Sequence, residues 1–352
     1  MPTRSSLLPA FLLVLLGQGP LDLCAQNPLP GPGPFQVVRR FLLGGEGGWD
    51  YLVAEPGSSR LFVTRSTHVM VVDRLTGSLL GDIPETPGVH GVALDPARHV
   101  GFTSNGRDSS VTMFDLATLA RLRRLPVGAR NPDAILYDSA SDRLITFNGG
   151  SANASVLDPG TGKLLGLVQL DGKPEAGVGD GRGHIYVNIE DRSELTLFDA
   201  RTRRVTNTWS LADCEEPTGL AIDRESRRLF VGCGNSTLLV IDGVTGRPVA
   251  QLPIGEGVDG VAFEPATHRI FATSGAGTLT VAREENPDSF FVEAVVPTQP
   301  GARTVSLDPA RHEIYTISAE FEAPAATAPG EPRPRRRPVP GTFTLLVVAP
   351  VP

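Results

Sequence analysis

An all-β fold, a seven-bladed β-propeller of four-stranded antiparallel blades, follows from three observations. Acidic residues that close an apolar strand stand at Glu55, Asp95, Asp138, Asp180, Asp223, Glu264 and Asp308, separated by 40, 43, 42, 43, 41 and 44 residues. A period of about 40–45 residues with four short strands in each is that of propeller blades. Helical spacing is absent beyond the first 25 residues, and tight turns punctuate the chain throughout.

The unit is clearest from Gly91 to Gly128. Val92–Leu94 stops at Asp95-Pro96, Val100–Ser104 returns, and Asn105-Gly106-Arg107-Asp108 breaks the chain before Val111–Asp115. Leu122–Val127 is more polar, as an outer strand should be. Second strands recur at Leu61-Phe62-Val63, Leu144-Ile145-Thr146, Ile185-Tyr186-Val187, Leu229-Phe230-Val231, Ile270-Phe271-Ala272 and Ile314-Tyr315-Thr316. Third strands end in Asp at Asp73, Asp115, Asp158, Asp199 and Asp242, and Thr-Gly follows at Thr76-Gly77, Thr161-Gly162 and Thr245-Gly246.

In chain order, Met1–Ala25 reads as a secretory signal, with Arg4, an apolar Leu7–Leu16 and a small-residue exit before Gln26. No other apolar run approaches the roughly 20 residues of a membrane span. Residues 26–34 are a Pro/Gly tether, and 35–352 form one propeller domain. The seventh unit has strands at Thr304–Leu307, Glu313–Ile317 and Thr342–Ala349 and then runs out one strand short. Phe35–Leu43 is a strand without partners of its own, so it completes that blade and leaves no open edge at the seam. The Pro/Arg-rich segment 323–340 is too proline-rich to pack and reads as a mobile loop.

The net charge of −7 argues against a general nucleic-acid binder. Once the signal is removed, Cys214 and Cys233 are the remaining cysteines, an even pair in an exported chain. Cys214 lies just before the first strand of blade five and Cys233 ends the second. Because those strands are antiparallel, both fall on one rim, and a disulfide is expected there.

The repeated apolar–Asp-Pro–apolar and strand–Asp–Thr-Gly pattern, carried best by 217–235 and 91–106, resembles the YVTN-repeat, YncE-like family of exported bacterial β-propellers. Coverage extends over the mature chain. The resemblance implies a periplasmic or secreted protein of WD40-like blade plan, without catalytic residues common to the family. Lactonases and metal-dependent hydrolases share the propeller shape, which is an analogy of fold alone.

Chemistry is expected at the mouth of the central channel. The residue five before each marker acid is Asp50, His90, Asp133, Glu175, Thr218, Asp259 or Arg303, and six of these seven ionise. The following position is mostly small (Gly91, Ala134, Ala176, Gly219, Gly260). Neighbours around the ring could neutralise one another, Arg303 between Asp259 and Asp50, and His90 between Asp50 and Asp133. That leaves Asp133 and Glu175 without a cation of their own. With amide oxygens from Asn105 and Asn148 they suit a hard cation such as Ca²⁺, while the His-containing set suits Zn²⁺ or Mn²⁺. His99, His184, His268 and His312 fall in hairpins on the opposite rim and read as solvated turn residues. His68 has no obvious partner. No nucleophile elbow, zinc-helix motif, phosphate loop or dinucleotide fingerprint occurs.

Three functions are compatible with this pattern. The first is a monomeric exported propeller that binds a small ligand or partner protein at the channel mouth or rim. The second is a metal-assisted, lactonase-type hydrolase using the acidic ring. The third is a structural or cell-surface component without catalysis.

Overall fold

The computed structural model describes Met1, residues 30–323 and residues 337–351. Nearly all of the expected signal, the first part of the expected tether and residues 324–336 of the Pro/Arg-rich segment therefore lie outside the described residues. The ends of that segment are tied down: Phe321 bridges Pro338, and the Val339 N–H donates to the Glu320 carbonyl at 2.8 Å.

Seven four-stranded antiparallel sheets follow one another in sequence order. Blade two is typical, with strands Val89–Asp95, Val100–Asn105, Ser110–Asp115 and Arg121–Pro126. Inner strands bury both faces and outer strands are half-exposed, because each sheet packs face to face against its neighbours. Seven apolar clusters result, each spanning two adjacent blades. The core is thus a series of inter-blade seams. Among the described residues no helix is long and apolar enough to cross a membrane.

The strand–Asp–Thr-Gly signature is a turn device. Asp73 Oδ1 accepts from the N–H groups of Leu75 and Thr76, both at 2.9 Å, and from the Thr76 hydroxyl at 3.2 Å. Gly77 then takes φ +74°, the left-handed region where a Cβ is costly. Asp115, Asp158 and Asp242 repeat the arrangement with Thr118, Thr161 and Thr245.

Blade seven closes the ring. Its order from the axis outward is Ser306–Asp308, Glu313–Ser318, Thr344–Pro350 and then Phe35–Leu42, so the N-terminal strand is the outermost. Pairing runs from Phe35↔Pro350 to Leu42↔Thr344. Phe35, 2% exposed, enters the seam between blades six and seven edge-to-face with Phe271, centroids 6.0 Å apart. Arg65 secures the connection that follows: it is buried, donates to the carbonyls of Gly44, Glu46 and Gly47 at 2.9–3.0 Å, and lies 3.8 Å from the Phe343 ring centroid. Burial lowers its pKa to about 10.

Cys214 and Cys233 form the expected disulfide on one rim of blade five, with Cα atoms 5.1 Å apart.

Candidate functional site

The first strand of a blade carries the ring residues, and an irregularity in that strand turns them inward. Pairing between first and second strands shifts register between Val89 and Val92, Pro132 and Ile135, Pro174 and Gly177, Pro217 and Leu220, and Val258 and Gly260. His90, Asp133, Glu175, Thr218 and Asp259 each lie inside one of these shifts. A bulge bends its strand and re-aims a side chain, and here it releases these groups from the blade faces toward the axis. The small residues that follow make room for the neighbouring blade. A Cβ on Gly91 would stand 2.9 Å from Ile135 and on Gly219 2.8 Å from Val261, both on the next blade's inner strand, and on Gly260 2.7 Å from the Val305 nitrogen at the entry to blade seven's inner strand.

At the mouth, His90 Nδ1 lies 2.7 Å from Asp50 Oδ2 and 3.5 Å from Asp133 Oδ1. One ligand-type atom from each of these three residues falls within 4.8 Å of the others. Burial acts to lower the His90 pKa, but the hydrogen bond to Asp50 and the Asp133 charge outweigh it and raise the value. Arg303 meets Asp259 at 2.9 Å, so it balances that acid and makes no ion pair with Asp50. Burial still pushes Asp259 up to about 7 against the pull of Arg303, with Asp50 and Asp133 adding to the rise. Asp133 and Glu175 are both raised, burial first, then Asp50 acting on Asp133 and Asp133 acting on Glu175.

The structure corrects two expectations here. Glu175 does have a cation, since Lys173 Nζ lies 3.3 Å from its Oε2 while also bonding Glu190. Asn105 and Asn148 do not reach the acids. Both are fully buried inside their blades. Asn105 accepts from Thr103 at 2.8 Å and donates to Ser110 and Thr112 at 3.1 and 2.9 Å. Asn148 accepts from Thr146 at 2.9 Å and donates to Asn153 and Ser155, each at 2.8 Å. Both ends of each amide are spent locking the second strand of its blade to the third. The one ring residue that does not ionise, Thr218, donates its hydroxyl to the Val258 carbonyl at 2.9 Å.

Sequence reasoning missed Tyr51, although a signal was present: it fills the position that is Gly or Ala in most blades. From blade one it reaches the apolar cluster of blades three and four. It lines the axial cavity, about 210 Å³, to which residues of all seven blades contribute. Its pKa is raised well above the ordinary value, by burial first and then by Glu175, Asp133, Asp50 and Asp259. One phenol thus lies within the field of four carboxylates.

Three of the other histidines lie beside acids. His184 meets Asp180 at 2.9 Å, His312 meets Glu264 of the preceding blade at 2.8 Å, and His68 lies 3.7 Å from Asp82.

Fold and site together define a seven-bladed propeller with an acidic channel mouth. Among solved structures, the chain is similar to the one titled Kuenenia stuttgartiensis Hydrazine Synthase, at a TM-score of 0.67 and 15% identity, over 85% of this chain and 95% of that one. At that identity the likeness speaks for the fold alone. The chain matches no family model and no curated relative in sequence.

Proposed function

We propose that this protein is an exported, YncE-like binding propeller whose ligand is a cationic group held at the channel mouth. The observation that supports this most is the convergence of Asp50, Asp133, Glu175 and Asp259 around Tyr51, with His90, Lys173 and Arg303 as the neighbouring basic groups. Buried carboxylates that raise one another's pKa gain by meeting an external cation. A concave site with a few converging polar groups over an apolar floor is where a ligand binds best. The secretory pattern of residues 1–25 and the disulfide favour export to the periplasm or beyond.

A second reading, metal-assisted hydrolysis, draws on the mutual proximity of Asp50, His90 and Asp133. There these residues would hold a divalent ion such as Ca²⁺ or Zn²⁺, which would polarise a carbonyl. Titration of the metal-stripped protein with Ca²⁺, Zn²⁺ and spermidine separates the two. Binding of any of these that Asp133→Asn with Glu175→Gln abolishes supports the mouth as the site. Ester or lactone turnover that appears only with metal and is lost in His90→Gln supports the second reading. Unchanged binding of all three in the double variant refutes the mouth assignment.

A further inference from the structure

On the rim opposite the channel mouth, the marker acids Asp223, Glu264 and Asp308 each face the next blade, which can answer from two places. One is its first hairpin and the other is the residue just past its third strand's Asp position. Between blades seven and one, Arg74 holds Asp308 at 2.6 Å. Between six and seven, the hairpin residue His312 holds Glu264 at 2.8 Å. Between five and six both places carry ligand-type groups, and His268 and Glu284 face Asp223 with one ligand atom of each within 4.8 Å of the others.

Glu284 occupies the place of Arg74. Each donates its backbone N–H to a carbonyl of its own first hairpin, Arg74 to Ser59 at 2.8 Å and Glu284 to His268 at 2.9 Å. An anion therefore stands where blade one supplies a cation. Glu284 is 3% exposed, and neither of its carboxylate oxygens has a hydrogen-bond partner. Asp223, 5% exposed, accepts from the N–H groups of Glu225 and Ser226 at 3.0 and 3.2 Å and from the Ser226 hydroxyl at 2.5 Å. Arg228, whose charge acts on Glu284, is already held by Asp242 at 2.8 Å and Asp288 at 3.1 Å. Phe263 sets the exposed His268 ring edge to face, centroids 6.4 Å apart. A cleft of about 460 Å³ with Asp223 and Phe263 in its wall opens alongside.

Burying an unpaired carboxylate is costly unless a proton or a cation neutralises it. The imidazole selects among cations: two carboxylates with one histidine suit Zn²⁺ and its first-row neighbours, whereas Ca²⁺ and Mg²⁺ prefer oxygen alone. We propose that Asp223, His268 and Glu284 form a divalent transition-metal site of the zinc class joining blades five and six, with its remaining position open to the cleft.

The test uses the full chain carrying His90→Gln and Asp133→Asn, which removes the metal-capable set at the channel mouth. Metal-stripped protein at pH 7.5 is titrated with Co²⁺ followed by visible absorption, and then with Zn²⁺ as competitor. One equivalent of Co²⁺ should bind and be displaced by Zn²⁺. His268→Ala and Glu284→Gln, added singly, should each weaken binding at least tenfold and remove the Zn²⁺-induced rise in melting temperature. His268 is exposed and Gln is isosteric with Glu, so both variants should fold, which circular dichroism checks. Absence of Co²⁺ binding in the His90/Asp133 background, or binding that neither added substitution weakens, overturns the site. Metal binding lost on His90→Gln/Asp133→Asn alone would do so too while leaving the mouth reading intact.

Discussion

At the scale of single residues, charges that the fold crowds together govern the outcome. Asp133→Asn with Glu175→Gln removes two carboxylates of raised pKa, so the double variant should melt at the same or a higher temperature while losing cation binding at least tenfold. Differential scanning calorimetry and a binding isotherm check both halves, and a collapsed fold would show the acids to be structural. Arg74 predicts the opposite sign. It is 4% exposed against Asp308, and stranding that acid by Arg74→Met should cost about 3–5 kcal/mol in chemical denaturation. Asp259 sets a pH dependence. Its pKa of about 7 in the fold exceeds that of an unfolded Asp, about 4, so the native state binds more protons between them. The raised pKa of His90 acts in the same direction, its stabilisation being lost as pH rises through the folded value. Without added cations, stability should therefore fall as pH rises from about 4 to 7, and Asp259→Asn should flatten that slope. The ring itself was legible because its members keep a fixed distance from each marker acid. The role of Asn105 and Asn148 was not, because it depends on which residues lie opposite them on the third strand.

At the scale of elements, two devices act at chain ends and edges. Deleting Gln26–Gly44 strips blade seven of its outer strand and takes Phe35 from its seam. The truncated chain should melt at a much lower temperature or aggregate through the exposed edge, as scattering during a thermal scan will show. Reducing the Cys214–Cys233 disulfide, or replacing both cysteines by Ala, opens a link between residues 19 apart and should cost about 3 kcal/mol in the chain-entropy view. Non-reduced peptide mapping verifies the link itself. Both features could be read from the sequence, one from a missing fourth strand and the other from two cysteines on one rim. The inner-strand bulges could not. Adding one residue to a strand leaves the period of a blade within its ordinary scatter, yet it decides whether His90 or Asp133 faces a seam or the axis.

At the scale of the whole molecule, seven seams hold the ring, and repetition made that architecture plain from the chain alone. Repetition also hides what is particular, because function departs from the repeat. Tyr51 breaks the run of small residues, and Glu284 puts an acid where blade one has Arg74. Tyr51 has a consequence for how the molecule can be used. A propeller with an open axis is a pipe, with both ends sharing one water column. With a phenol reaching from blade one to the cluster of blades three and four, that bore is partly filled. A guest docked at the acidic end therefore meets an aromatic ring along the axis, against which its apolar part can rest while its charge stays with the carboxylates.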